Sequence, residues 1–596
     1  MRGWSFGLSV LTLCAGTIGC NRVGAPADAV PPPSERAAAA PAPPVVDAPA
    51  DVVLWARMVA PGRDLPVLGA FGFFPDDVSA ALTAPHTSLQ VLVGPELASA
   101  IDLDAPVDFL LAEKDEPEDW TIAFTAHPDV HAEGSELELV QVAAQRWRIE
   151  LPAAAARAFQ VCELWGGGPP SGPRVLCSTG PARLASDAPF LMGTAPRHPT
   201  TGSLRLAIPG PGYRQGLQQV MDKIIAEGAD EAEAYGTQLV ANTVREHDGI
   251  AVDVTLGSEV EIGLEIAFTT AQAPLNAWLA SEPVGAGVLS GFWKLPADAE
   301  LALSKGKVDG QQLRATAGPL LREVLDESFE DMVLSDGDQE AIEQAVLGIV
   351  PTGGGFSFAT GRTAEAGARW YLLGVEENGT EYAEAVQEFV RQGQRRFDVL
   401  PKEPGSTESS PNELSTEVSL VDDSPPGLPP GSLHVLFSER PKPSAAAAAT
   451  TTPPVDGDLH VFVVPDEPQV WLSWATDEEV ARAQVRRIVE AQPQGSLRAV
   501  PALTHAADRA TTGIGFTTLR GLMGLAVGQP AAQLHALPAA LPHQGRTPIP
   551  LWFERRVPGD ASGTVTVRLA GQLHPDVMMD GMAWLLLALS SAEEGP

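Results

Sequence analysis

A Pro-Ala-Asp turn opens an alternating apolar strand twice in this chain, and that repetition constrains the fold more than any other feature. The first instance is PADVVLWARM, with Pro49, Ala50 and Asp51; the second is LPADAELALSKG, with Pro296, Ala297 and Asp298. Other landmarks repeat in the same order. TGSLRLAIP at Gly202 is echoed by QGSLRAVPA at Gly495. Each echo follows an apolar strand, VLCSTG or VWLSWAT, with a helix-like segment in between. Each half then closes on two strands and a helix: IAVDVTLG, VEIGLEIAFTT and APLNAWLAS first, IPLWFERRVP, GTVTVRLAGQL and PDVMMDGMAWLLLAL later. Recurrence in register points to one supersecondary unit used twice.

Within each half, period-two strands come in adjacent pairs, interrupted by amphipathic helices such as YRQGLQQVMDKIIAEG and GTEYAEAVQEFVRQGQRRF. Paired strands with grouped helices predict an α+β fold of two similar halves, each an antiparallel sheet with packed helices. The halves span 49–285 and 290–596. The longer second half carries its excess in low-complexity loops near 403–431 and 441–457, where added length costs little stability. The last apolar run, Trp584 to Leu589, is too short to cross a bilayer and reads as a buried helix.

The N-terminus supplies an address. Arg2 precedes an apolar stretch from Trp4 to Ile18, shorter than the ~20 residues of a membrane-spanning helix, which suits a signal peptide over 1–19. Thr17-Ile18-Gly19-Cys20 resembles the lipobox of bacterial lipoproteins, with Thr17 where that family usually has Leu. The resemblance implies lipidation at Cys20 and cleavage just before it; Cys14, behind the bulky Leu13, is the poorer candidate. The alternative is an ordinary secretory signal cut further on. Residues 20–48 are dominated by Ala and Pro and read as an extended tether. Asn21 is not the Asp that retains many lipoproteins at the inner membrane. By resemblance this favours the outer membrane, on its periplasmic or surface face. Behind that signal, the LPAD-led strand resembles those of uncharacterised bacterial envelope proteins with repeated α+β domains, over about 49–590. That resemblance implies a fold and no activity.

Charge and cysteine usage agree with export. A formal net charge of −37 opposes nucleic-acid binding, which needs basic surface to displace counterions. Once Cys14 leaves and Cys20 is modified, Cys162 and Cys177 remain, flanking CELWGGGPPSGPRVLC. Two short strands joined by a Gly/Pro loop would allow a cross-link worth ~3 kcal/mol in an oxidising compartment. Two separate buried thiols are the other reading.

No candidate site emerges for catalysis, a cofactor or a metal. GPGYRQG, Gly210 to Gly216, sits where a phosphate loop would, but its third glycine is late and prolines remove donors; a Pro-initiated helix is the plainer reading. Ser357 in GGGFSFATG lacks the closing glycine of a nucleophile elbow and reads as a buried strand residue. His127, Asp129 and His131 in HPDVH fall in a loop, without the glutamate of a zinc helix. His574 and Asp576 mark a helix start. Asp336, Asp338 and Glu340 resemble the opening of a calcium loop, but Ala341 and Leu347 stand where it needs Gly and Glu, so a helix cap is favoured. The acidic run Glu113 to Trp120 reads as a solvated hairpin tip.

The leading expectation is therefore a non-enzymatic envelope lipoprotein, binding or scaffolding an envelope protein or polymer while held to the membrane by its lipid. A carrier of lipid or another apolar ligand is the alternative from a different class. A hydrolase with an unrecognised site ranks last.

Overall fold

The computed structural model describes most of residues 43–593; it leaves aside 1–42, 594–596 and internal stretches, of which the longest are 215–240, 307–331, 400–413, 442–456 and 526–539. Cys20, the lipobox and most of the tether therefore lie outside the described residues. The chain divides into two compact units, Met1–Gln218 with His247–Ala267 and Gln572–Met582, and Gln219–Glu246 with Phe268–Gly571 and Ala583–Pro596. Both mix helices with antiparallel strands, the α+β class expected from paired period-two segments.

The first unit opens on β1 (Val52–Met58), followed by four short helices, α1 (Pro61–Ala70), α2 (Asp76–Leu82), α3 (Pro85–Val93) and α4 (Pro95–Ser99). Six strands come next: β2 (Val107–Ala112), β3 (Asp119–Thr125), β4 (Leu139–Ala143), β5 (Arg146–Ile149), β6 (Val161–Trp165) and β7 (Arg174–Ser178). Then come α5 (Pro181–Gly193), β8 (Leu204–Pro209), β9 (His247–Thr255) and β10 (Val260–Phe268). The strands lie in the order β4-β5-β6-β7-β3-β2-β1-β8-β9-β10. Helix α5 covers one face through Leu184, Ala188 and Leu191, against Val52, Leu110, Ala123 and Leu176. On the other face, Leu89, Val93 and Leu97 of α3 and α4 join Ile122, Phe124, Cys162 and Cys177. Cover on both faces explains why nearly every residue of β6 and β7 is buried.

The second unit runs β11 (Leu301–Lys305), α6 (Asp336–Gly348), β12 (Phe356–Arg362), β13 (Arg369–Val375), α7 (Gly379–Gly393) and β14 (Leu414–Asp422). Next are β15 (Leu433–Pro441), β16 (Gly457–Asp466), β17 (Gln469–Ala475), α8 (Glu478–Val489) and α9 (Pro501–Arg509). It continues with β18 (Gly513–Thr517), α10 (Leu519–Leu525), β19 (Ile549–Arg556) and β20 (Val565–Leu573). The last helix, α11 (Pro575–Glu593), is divided between the units, up to Met582 in the first and from Ala583 in the second. Its strand order is β14-β15-β16-β17-β13-β12-β11-β18-β19-β20, antiparallel throughout. Asp477 caps α8 by accepting from Val480 N–H, with Glu478 and Glu479 in the first turn and Arg486 and Arg487 in the last, each matched to the helix dipole. Ala481, Val485 and Ile488 share one helical face and meet Trp370, Phe462 and Trp471 in the core. Each such aliphatic side chain beyond alanine contributes roughly 1.5–3 kcal/mol on burial.

The Pro-Ala-Asp signature has a local cause. Val52 N–H donates to the Pro49 carbonyl at 3.0 Å and Ala299 N–H to that of Pro296 at 3.2 Å, so each motif is a hydrogen-bonded turn into its strand. The aspartate then ties down the helix packed on the sheet. Asp51 pairs with Arg183 of α5 at 2.5 Å, and Asp298 with Arg487 of α8 at 2.9 Å.

Three expectations need correction. The Gly202 and Gly495 echo is a coincidence of letters: GSLRLAIP feeds β8, whereas Leu497–Ala499 is a 3-10 turn that Pro501 leads directly into α9. The span 403–431, read as a low-complexity loop, contains β14, where LSTEVSLVD alternates. The C-terminal run is helical, but Trp584 is 38% exposed rather than buried. Among the described residues, no helix is long and apolar enough to cross a membrane.

Candidate functional site

Most residues singled out from sequence take ordinary structural places. Ser357 is buried on β12, its hydroxyl 3.2 Å from that of Ser304. His127 lies outside any helix, its N–H bonded to the Ala100 carbonyl, while Asp129 and His131 lie outside the described residues. Ser335, not Asp338, is the N-cap of α6; Asp338 completes a capping box with it. His574 precedes α11, its Nδ1 accepting from Asp576 N–H at 3.3 Å. Of the Gly210 to Gly216 loop only Gly210 and Arg214 are described, both as helical. Of the acidic run read as a solvated tip, residues 113–118 lie outside the description, whereas Asp119 and Trp120 open β3 and Trp120 is buried, because its indole joins the core beneath α3 and α4.

Cys162 and Cys177 form a disulfide across the β6–β7 ladder, where they are directly opposed with Cα atoms 4.1 Å apart. Both are fully buried. The open choice between a cross-link and two thiols is thereby settled for the described fold.

Two polar groupings were not legible in the sequence. The first is a desolvated ion network in the first unit. Asp108 on β2, fully buried, accepts from Arg174 at 2.6 Å, from Arg57 at 3.4 Å and from the Trp55 indole at 3.1 Å. Two guanidinium groups share one carboxylate, and the excess positive charge meets carbonyls at the C-terminal end of α5 and in the 3-10 turn that follows it. Arg174 donates to the Leu191 carbonyl at 2.6 Å, and Arg57 donates to that of Ala195. Helix C-termini carry partial negative charge, so they offset the second cation. Burial pulls the Arg57 guanidinium below its ordinary value, Asp108 opposes this, and Arg174 adds to it. Closed to water, this network holds α5 to the sheet.

The second grouping lies in the second unit. His434 on β15 and His460 on β16 sit diagonally on one sheet face, since His460 pairs with Leu436, two residues along from His434. Their Nε2 and Nδ1 atoms are 3.1 Å apart, against 5.3 Å between ring centroids, so the rings meet edge to edge, nitrogen to nitrogen. His434 is 2% exposed and lies flat on Phe462, ring centroids 4.3 Å apart; His460 is half-buried. Above them, the first turn of α8 brings Glu478, ion-paired to Arg482 through Oε1. Donor atoms of His434, His460 and Glu478 all lie within 4.8 Å of one another. Burial pulls the His434 imidazole below its ordinary value, with His460 and Arg482 adding to this and Glu478 and Asp422 opposing. The one sequence clue was a repeated tripeptide, Leu433-His434-Val435 and Leu459-His460-Val461, masked by the low-complexity stretch between them.

Comparison with known protein families, curated proteins and solved structures finds no match for this chain.

Proposed function

We propose that this chain is an exported lipoprotein of the cell envelope, anchored through Cys20, whose body is a non-enzymatic binding or scaffolding module made of two similar halves. The observation that carries the export reading is the Cys162–Cys177 disulfide. Disulfides persist in oxidising compartments and are rare in the cytosol, so a buried cross-strand pair favours a chain that leaves it. A Pro/Ala tether behind a lipidated cysteine then sets the body away from the bilayer.

Support for duplication comes from strand order. Adding ten to each label of the first unit's order, β4-β5-β6-β7-β3-β2-β1-β8-β9-β10, reproduces that of the second. In both, the Pro-Ala-Asp strand takes the same place, and a helix tied to that aspartate follows the fourth strand of the order. Two such surfaces suit a protein or polymer of the envelope.

Replacing Cys20 with Ser and fractionating cells tests the anchor. The Cys20→Ser protein should appear in the soluble fraction or as an uncut precursor, without labelled palmitate. Palmitate entering that variant would overturn the anchor.

A further inference from the structure

We propose that His434, His460 and Glu478 form a binding site for a zinc-like divalent cation in the second unit. The inference is independent of export and of the lipid anchor, since it rests on side chains within one unit. Two imidazole nitrogens and a carboxylate are the donor set that borderline transition ions prefer, and that calcium and magnesium, which favour oxygen, do not. All three donor atoms already lie within 4.8 Å of one another.

The distances suit a small ion. In tetrahedral zinc with Zn–N of 2.0–2.1 Å, two ligating nitrogens stand about 3.3 Å apart. The His434–His460 nitrogens stand 3.1 Å apart, joined through a single shared hydrogen. An ion replaces that proton with a small parting of the rings, and His460, half-buried, is the ring with room to tilt. His434 is fixed by its stack on Phe462 and supplies the rigid side.

Glu478 is engaged by Arg482, which a cation must displace. The guanidinium has a second resting place, since it already sits 5.4 Å from the centre of the Phe462 ring. Glu478 carries a side chain 37% exposed and stands in the first turn of α8, so it can swing toward the pair. Bound this way, the ion joins β15, β16 and α8. Three protein ligands leave a fourth position to water, the arrangement of open zinc sites.

The test uses the full-length protein in detergent, stripped with a chelator and titrated with Zn²⁺ by equilibrium dialysis. One equivalent should bind, with proton release as the shared hydrogen leaves. Ca²⁺ should not compete. His460→Gln should weaken binding by more than about 100-fold, beyond what loss of a supporting hydrogen bond costs a metal site. Because His434 is buried and its loss could unfold the unit, the second variant is Glu478→Gln, at the more exposed ligand, with the same direction of effect. His127→Gln and His574→Gln should bind as the parent does. Co²⁺ should give the visible absorption of a four-coordinate site in the parent and lose it in His460→Gln. No saturable binding, or binding unchanged by both His460→Gln and Glu478→Gln, would overturn the site.

Discussion

The β6–β7 ladder of the first unit and the β16–β17 ladder of the second each lead into a helix laid on the sheet, yet they are secured by different chemistry. Counting back the same distance from α5 and from α8 reaches Cys177 and Trp474. Cys177 faces Cys162 across its ladder and is bonded to it; Trp474 faces Val461 and stacks on Tyr371 with ring centroids 5.3 Å apart. Beneath α5 lies an ion network around Asp108, whereas the α8 side carries an imidazole pair. One region thus depends on a covalent bond and a buried ion network, the other on aromatic packing and an imidazole pair. The difference means that redox state should act on the first unit and acidity on the second.

The largest expected effect comes from Asp108→Ala. It strands two buried guanidinium groups, and breaking a buried pair costs about 3–5 kcal/mol. Hydrogen exchange should quicken through β1, β2, β7 and α5 while β15 to β17 keep their protection; equal loss in both units would show that Asp108 does not act on the first unit alone. Next is the double change Cys162→Ala with Cys177→Ala, expected to cost the first unit about 3 kcal/mol through loss of the loop constraint. Urea unfolding should match that of the reduced parent, and a variant as stable as the oxidised parent would leave the disulfide without a structural role.

Acidity sharpens the contrast from the other side. His434 has a folded value held below its ordinary 6.5. As pH falls through that unfolded value, the unfolded chain takes up the proton first, so stability present above about 6.5 is lost toward the lower folded value. The second unit should therefore weaken on acidification across that window, and His434→Phe should flatten the slope measured by urea midpoints at each pH. A slope unchanged by that substitution would assign it to other groups. The smallest effect belongs to Asp298→Ala, whose partner Arg487 and own side chain are 40% and 63% exposed. Exposed pairs are worth about 0–1 kcal/mol. Asp51→Ala should cost more, because Arg183 is only 5% exposed, and a reversed ranking in thermal melts would contradict the burial argument.

How much of this was legible in the sequence follows from what kind of pattern each feature leaves. The α+β class and the paired strands showed because half-buried strands alternate, and the helices α7 and α8 showed because one face alone is apolar. The Pro-Ala-Asp turns showed because their residue types match their geometry. The Gly495 echo misled because four shared letters do not fix backbone when Pro501 starts a helix directly after. The strand β14 was hidden by the turn-formers around it. The ion network left no local pattern, and the histidine pair left only a repeated Leu-His-Val tripeptide. Asp108 and Arg174 are 66 residues apart and look like ordinary surface charges until the sheet order makes their strands near neighbours. The two histidines became a pair only when β15 and β16 closed into a hairpin over the low-complexity stretch.

Export, lipidation at Cys20 and closure of the first unit by a disulfide can be read together in one mass measurement. Cells are lysed under denaturing conditions in an alkylating agent, and the intact protein is weighed. The mature form should begin at a diacylated Cys20, with Cys162 and Cys177 unalkylated until reduction. A chain still beginning at Met1, with both thiols alkylated without any reductant, would contradict all three.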